Sequence, residues 1–196
     1  MAKFKVGYFV GSLSSTSINR ELSRVLIRLA PTEFEFHEIP IGDLPLYSPD
    51  FDADYPPAAV ALKEAIRDSD AVLFITPEYN RSIPGALKNA IDWASRPWGQ
   101  NAFDHVPTAM IGASPGQIGT ALAQQSLRAV MSFCNARLMT APEAYLKFTP
   151  DVFPGGGEVV DRATRTFLET FLSEFRDHIM RVLTVLPRHG YAAQRP

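Results

Sequence analysis

The sequence is poor in the residue patterns that announce a disulfide scaffold, a metal site or a charged docking surface. It holds one cysteine, Cys134, which excludes an internal disulfide. Its four histidines, His37, His105, His178 and His189, share no short ligand spacing, so no bound metal is expected. Lysine and arginine total 19 against 21 aspartates and glutamates, a formal net charge of −2. A nucleic-acid partner would therefore lack its usual electrostatic driver, and none is expected. No apolar run approaches the ~20 residues that span a bilayer, so no membrane partner is expected. The first residues lack the apolar core and small-residue cleavage site of a secretory leader, which makes the cytoplasm the expected location. Neither Gly-x-Gly-x-x-Gly nor Gly-Lys-Ser/Thr occurs in the first loop, which argues against a dinucleotide fold and a nucleoside triphosphatase.

What is present suits one ordinary globular domain. With 196 residues, of which 46% are hydrophobic and 20% charged, the chain has enough apolar material for a core without staples. One domain is expected over residues 1–186, followed by a polar tail over 187–196. Residues 4–10 read as a buried strand, and residues 18–29 carry apolar positions at helical spacing. Alternating residues 34–39 read as a second strand. A proline-punctuated loop follows over 41–57, then a helix over 58–67 and a continuous apolar strand over 71–76. The same logic predicts a helix before residue 96, a strand over 108–113, a helix over 119–133, a last short strand over 137–140 and a long helix over 159–186. Alternating strands and helices predict an α/β fold with a parallel sheet covered on both faces. Ligands in such sheets sit at the carboxyl ends of the strands, which directs attention to the loops after the first, third and fourth.

The first of these loops, GSLSSTSINR (11–20), combines a helix N-terminus with hydroxyls at Ser12, Ser14, Ser15, Thr16 and Ser17, a neutral cradle suited to a phosphate monoester. The plainer account is that Ser17 caps the helix and the other hydroxyls are solvated, and the loop alone supports both. In the second loop, Pro77-Glu78-Tyr79-Asn80 directly follows the apolar strand. Tyr79 and Asn80 could shield and hydrogen-bond a flat, redox-active heterocycle. The third loop, residues 113–119, is weak evidence alone, because its glycines also suit an ordinary turn.

The run PEYNRSIPGALKNAIDWASR (77–96), together with GSLSSTSINR, resembles the NAD(P)H-dependent FMN reductase family of flavodoxin-like proteins, which includes quinone, chromate and azo-dye reductases. The resemblance covers essentially residues 3 to 183. It implies a flavodoxin-like three-layer sandwich around a five-stranded parallel sheet of order 2-1-3-4-5. It also implies that Ser12, Ser14, Ser17 and Asn19 hold the FMN phosphate and neighbouring ribityl atoms. Pro77, Glu78, Tyr79, Asn80 and Ser82 would line the isoalloxazine largely through backbone groups, and Ser114, Pro115 and Gly116 would lie at its pyrimidine edge, where small residues let backbone amides approach. Many relatives carry an arginine where this chain has Ser14, a departure for which Arg20 or Arg81 would have to compensate. Arg128 and Glu143 fall where relatives often place residues of the subunit contact, although the residues by themselves read more simply as surface charges.

The function implied is hydride transfer from NADPH or NADH to bound FMN, then to a small-molecule electron acceptor such as a quinone, free flavin, azo dye or chromate, by a ping-pong mechanism. No side chain is required as a catalytic residue, because the chemistry belongs to the cofactor. A homodimer or homotetramer is expected, with apolar residues of the 41–57 loop and the helix around Trp93 and Trp98 offering contact surface. The alternative is a flavodoxin-like electron carrier without a nicotinamide site. Such carriers tend to be strongly acidic, and this chain is not. Cys134 reads as a buried small hydrophobe.

Overall fold

The structure, a computed structural model, describes residues 3–188; His189 and most of the expected tail lie outside the described residues. Among the described residues five α-helices alternate with the strands of a parallel sheet. β1 (Phe4–Val10) leads into α1 (Ile18–Leu29), β2 (Phe34–Glu38), α2 (Pro57–Arg67), β3 (Ala71–Ile75), α3 (Gly85–Ser95) and β4 (Pro107–Ser114). Then follow α4 (Ala121–Phe133), β5 (Arg137–Leu138), β6 (Tyr145–Lys147) and α5 (Arg162–Val185). The order is β2-β1-β3-β4-β5, with β6 also paired to β4, and every pairing is parallel. This is the flavodoxin-like order expected. Among the described residues no helix is long and apolar enough to cross a membrane.

The continuous apolar strands are explained by burial on both faces. Successive side chains of a strand point to opposite sides, so Leu73 and Ile75 join one core while Val72 and Phe74 join the other. The first core packs Val6, Val10 and Ile111 against Leu22 and Leu26 of α1 and Phe171 and Phe175 of α5. The second packs Phe9, Phe74 and Met110 against Leu62, Leu87 and Leu127 of α2, α3 and α4. Phe9 and Phe74 stack at 4.9 Å between centroids. Truncating a buried phenylalanine of this kind costs about 3–5 kcal/mol, a large share of a domain's stability.

Three boundaries differ from the sequence pattern. The last strand is split: β5 pairs with Pro107 and Thr108, and β6 resumes opposite Gly112 to Ser114. Pro142 lies in the interruption and has no N–H to give a ladder. α4 starts at Ala121, not 119, because Gly119 takes φ 62° and a Cβ there would lie 2.7 Å from the Tyr145 backbone. α5 starts at Arg162 because residues 155–158 form a small bridge and Val160 bonds back to Val152. The Asp161 carboxylate then caps the helix by accepting the Thr164 N–H at 2.7 Å.

The 41–57 loop is ordered by aromatics. Tyr47, Phe51 and Tyr55 surround Trp93 at centroid distances of 5.1, 5.7 and 5.1 Å, and the Trp93 indole N–H donates to the Pro45 carbonyl at 2.6 Å. Trp93 is fully buried and offers no surface to a second subunit, contrary to expectation. Its bulk is spent fixing the loop onto α3.

Candidate functional site

The parallel order brings the loops after β1, β3 and β4 side by side at one end of the sheet. The first loop folds on its own hydroxyls. The Ser14 N–H donates to Ser12 Oγ at 3.3 Å, the Thr16 N–H to Ser14 Oγ at 3.2 Å, and the Arg20 N–H to Ser17 Oγ at 3.2 Å. Ser17 is thus the N-cap of α1, while Ser12 is buried and Ser14 exposed. Among the described residues the backbone N–H groups of Leu13 and Ser15 have no protein acceptor. They precede the N-cap of α1, whose N-terminal end carries the positive pole of the helix dipole, and no carboxylate belongs to the loop.

Asn19 is placed differently from its neighbours. Its buried carboxamide is turned inward, with Nδ2 donating to the Ala113 carbonyl at 2.9 Å and Oδ1 accepting the Ala113 N–H at 2.9 Å. It braces the first loop against the start of the third. Arg20 is also committed elsewhere: its guanidinium is bidentate on Glu38 at 2.8 and 2.9 Å. It therefore does not stand in as a free charge for the arginine missing at Ser14.

The second loop is a tight hairpin. Tyr79 and Ser82 exchange backbone hydrogen bonds at 2.9 and 3.0 Å, and the two residues between them, Asn80 and Arg81, have φ of 52° and 65°. Positive φ at both central positions is the type I′ pattern, which asparagine tolerates well. The hairpin leaves Tyr79 51% exposed. Pro77 stays partly buried, with its carbonyl accepting the Thr76 hydroxyl at 2.9 Å. Ser82 Oγ meets Ser126 Oγ of α4 at 3.0 Å.

Glu78 has a side-chain role that the sequence pattern did not reveal. Thr120, the N-cap of α4, makes no side-chain cap bond. Instead Glu78 Oε2 accepts the N–H groups of Leu122 and Ala123 at 3.0 and 3.1 Å. A carboxylate reaching across from the neighbouring loop thus serves the helix start and its positive dipole. The signal was beyond local reading because the partners are 44 residues apart.

The third loop is closed by Ser114. Its hydroxyl donates to the Gly119 carbonyl at 2.7 Å and accepts the Gly116 N–H at 3.2 Å. Pro115, Gly116, Gln117 and Ile118 are left exposed. At the opposite end of the sheet Cys134 is buried, and that burial pushes its thiol pKa up. It is no activated nucleophile.

A parallel sheet of order 2-1-3-4-5 between two helical layers, with its neutral, hydroxyl-rich loop and its aromatic hairpin at the carboxyl end, defines a flavodoxin-like protein built to hold a ligand at that end. The chain belongs to the NADPH-dependent FMN reductase family, whose pattern it matches over residues 4–151. It is accordingly an oxidoreductase whose cofactors are FMN and a reduced nicotinamide nucleotide. It is 48% identical to a 2-hydroxy-1,4-benzoquinone reductase from Burkholderia sp over 171 residues, covering 87% of this chain and 93% of that one. It is 39% identical to a quinone reductase of Escherichia coli (strain K12) over 184 residues, covering 92% and 97%. Among solved structures, the flavoenzyme NAD(P)H:(acceptor) oxidoreductase FerB from Paracoccus denitrificans is 47% identical. Its TM-score is 0.88, with 91% of this chain and 98% of that chain covered.

Proposed function

We propose that this protein is a quinone reductase that catalyses NAD(P)H + H⁺ + quinone → NAD(P)⁺ + quinol by a ping-pong mechanism. The observation that carries the reading is the meeting of three loops at the carboxyl end of the sheet, where a first loop with unspent backbone donors shares that end with a hairpin that exposes the Tyr79 ring. The residues fit FMN. The N–H groups of Leu13 and Ser15, with the hydroxyls of Ser12, Ser14 and Ser17, would hold its phosphate without a competing carboxylate. Pro77, Tyr79, Asn80 and the Glu78 and Ser82 backbone would line the ring, and Ser114, Pro115 and Gly116 would meet its polar edge. Asn19 would act through Ala113, by keeping the first and third loops in register. Glu78, spent on α4, would bring no free negative charge to the ring.

When bound, FMN would supply the redox chemistry that links hydride donation by the nicotinamide to reduction of the acceptor. The chain's own residues exclude water, orient the partners and supply fixed dipoles where negative charge develops. One open edge on so small a domain serves donor and acceptor in turn. Free flavins, azo dyes and chromate are proposed as further acceptors for the same reason, and the cytoplasm is proposed as the location.

A homo-oligomer is part of this proposal. Trp98 and Phe133 are 78% and 73% exposed with ring centroids 6.4 Å apart, and they flank a cleft of about 380 Å³ at the C-terminal ends of α3 and α4. Large aromatics left in water mark a contact surface.

The test is to purify the protein, record the visible flavin spectrum, and bleach it anaerobically with NADPH and NADH before adding a quinone. Bleaching followed by recovery, with parallel initial-velocity lines, is the expected result. A colourless protein that takes up no added FMN, or intersecting lines, would overturn it.

A further inference from the structure

Arg81 is set apart from the other charges near the three loops by where its charge faces. Its guanidinium lies 3.5 Å from Glu78, yet its side chain is 64% exposed whereas that of Glu78 is 10% exposed. The Glu78 carboxylate is already engaged by the first turn of α4. One full positive charge, one full negative charge and the helix N-terminus, worth about half a positive charge, leave this corner net positive, with the cation outermost. Beside the polar Asn80 and Gln117, the same loops and the first turn of α4 expose the large hydrophobic side chains of Tyr79, Ile118 and Leu122. The turn spends a positive φ on a long cationic residue, where asparagine or glycine would sit with less strain.

We propose that Arg81 makes this protein select acceptors that are planar, conjugated and negatively charged, the class represented by deprotonated hydroxyquinones. The inference rests on the reading that the protein reduces quinones. A hydroxyl on a quinone ring is a vinylogous carboxylic acid, ionised at neutral pH, with its charge spread over the ring oxygens. A planar guanidinium meets such paired oxygens through two parallel N–H donors, while the ring covers apolar surface. The pyrophosphate of the nicotinamide cofactor is also anionic, so the test separates donor from acceptor.

The experiment follows both half-reactions of the FMN-loaded full chain by stopped flow, using 2-hydroxy-1,4-benzoquinone and 1,4-benzoquinone as acceptors. Arg81→Asn removes the charge in a residue that accepts the turn geometry, and Arg81→Lys retains the charge. The ratio of reoxidation rate constants, hydroxyquinone over quinone, falls about two- to five-fold in Arg81→Asn, as expected for one exposed charge pair. Arg81→Lys restores part of it, and the difference shrinks as salt is raised to about 0.5 M. Binding of benzoate, an aromatic anion that accepts no electrons, weakens by a similar factor in the flavin difference spectrum. An unchanged ratio, or a loss confined to reduction by NADH, overturns the inference. Wild-type enzyme that NADH reduces but neither quinone reoxidises would defeat the quinone reading itself, and the inference with it.

Discussion

Asn19 and Ala113 close a two-bond ring across 94 residues of sequence: the side-chain amide donates to the Ala113 carbonyl and accepts its N–H, both at 2.9 Å. Two buried backbone groups at the end of β4 are thereby satisfied by a residue of the first loop. Asn19→Ala strips both partners. Each group left unpaired costs about 1–3 kcal/mol, and the first and third loops lose their shared register. Urea unfolding and FMN titration are both expected to shift. Unaltered FMN affinity in a folded variant would confine Asn19 to stability.

Glu78→Gln tests the cap delivered from the neighbouring loop. The substitution keeps an acceptor oxygen but removes the charge that faces the start of α4. A loss of about 0.5–2 kcal/mol is expected in chemical denaturation, with increased hydrogen exchange in the first turn of α4. Exchange that increases elsewhere but not at Leu122 and Ala123 would count against the capping role.

Two glycines of the third strand-loop unit should behave oppositely. A Cβ on Gly112 would lie 2.1 Å from the Thr76 carbonyl oxygen and 2.3 Å from Thr120 Oγ1, whereas at Gly116 the nearest non-adjacent atom, Ser114 Oγ, is 3.6 Å away. Gly112→Ala must therefore push two strands or a helix start apart, at about 1–3 kcal/mol. Gly116→Ala is expected within about 0.5 kcal/mol of wild type. Comparing the two denaturation midpoints decides it.

Acidification should weaken the fold through His178. The ring is half-buried between α5 and the edge of the sheet, with Nε2 2.7 Å from the Arg137 carbonyl. Burial pushes its pKa below the ordinary value; the hydrogen bond to Arg137 opposes that and Arg181 adds to it. The unfolded chain thus takes up this proton near pH ~6.5 while the folded chain resists. More protons bound by the unfolded state means stability that is present above about pH 6.5 and lost as pH falls toward the folded pKa. Urea midpoints should drop from about pH 7.5 to about pH 5.5, and less steeply in His178→Gln, which keeps an N–H donor without titrating. An identical slope in the variant would assign the effect to other groups.

The subunit contact is tested by replacing Trp98 and Phe133 together with serine. Both rings are mostly in water, so the stability of the isolated fold should change by less than about 0.5 kcal/mol. Sedimentation should show a shift toward the monomer. A wild-type protein that is monomeric at micromolar concentration would remove the proposal at the outset.

Much of this protein was readable in its sequence because parallel strands buried on both faces are written as continuous apolar runs, and capped helices as regular spacing. The order of elements, the three loops and the Ser17 cap came from such local signals. The run from Pro77 to Arg96 carried the family because its residue types are unusual directly after a strand.

What local pattern could not decide is which polar groups spend themselves on the fold. Asn19 and Arg20 stand in a loop rich in candidate ligand donors, yet one braces Ala113 and the other pairs with Glu38. Trp93 and Trp98 are five positions apart, and only folding buries the first under the 41–57 loop while leaving the second in water. Hydrogen bonds and burial are settled by residues that the chain brings together from far apart, so the sequence alone determined the fold class and family. The tertiary structure decided which side chains brace the loops and which, like Arg81, remain exposed to water.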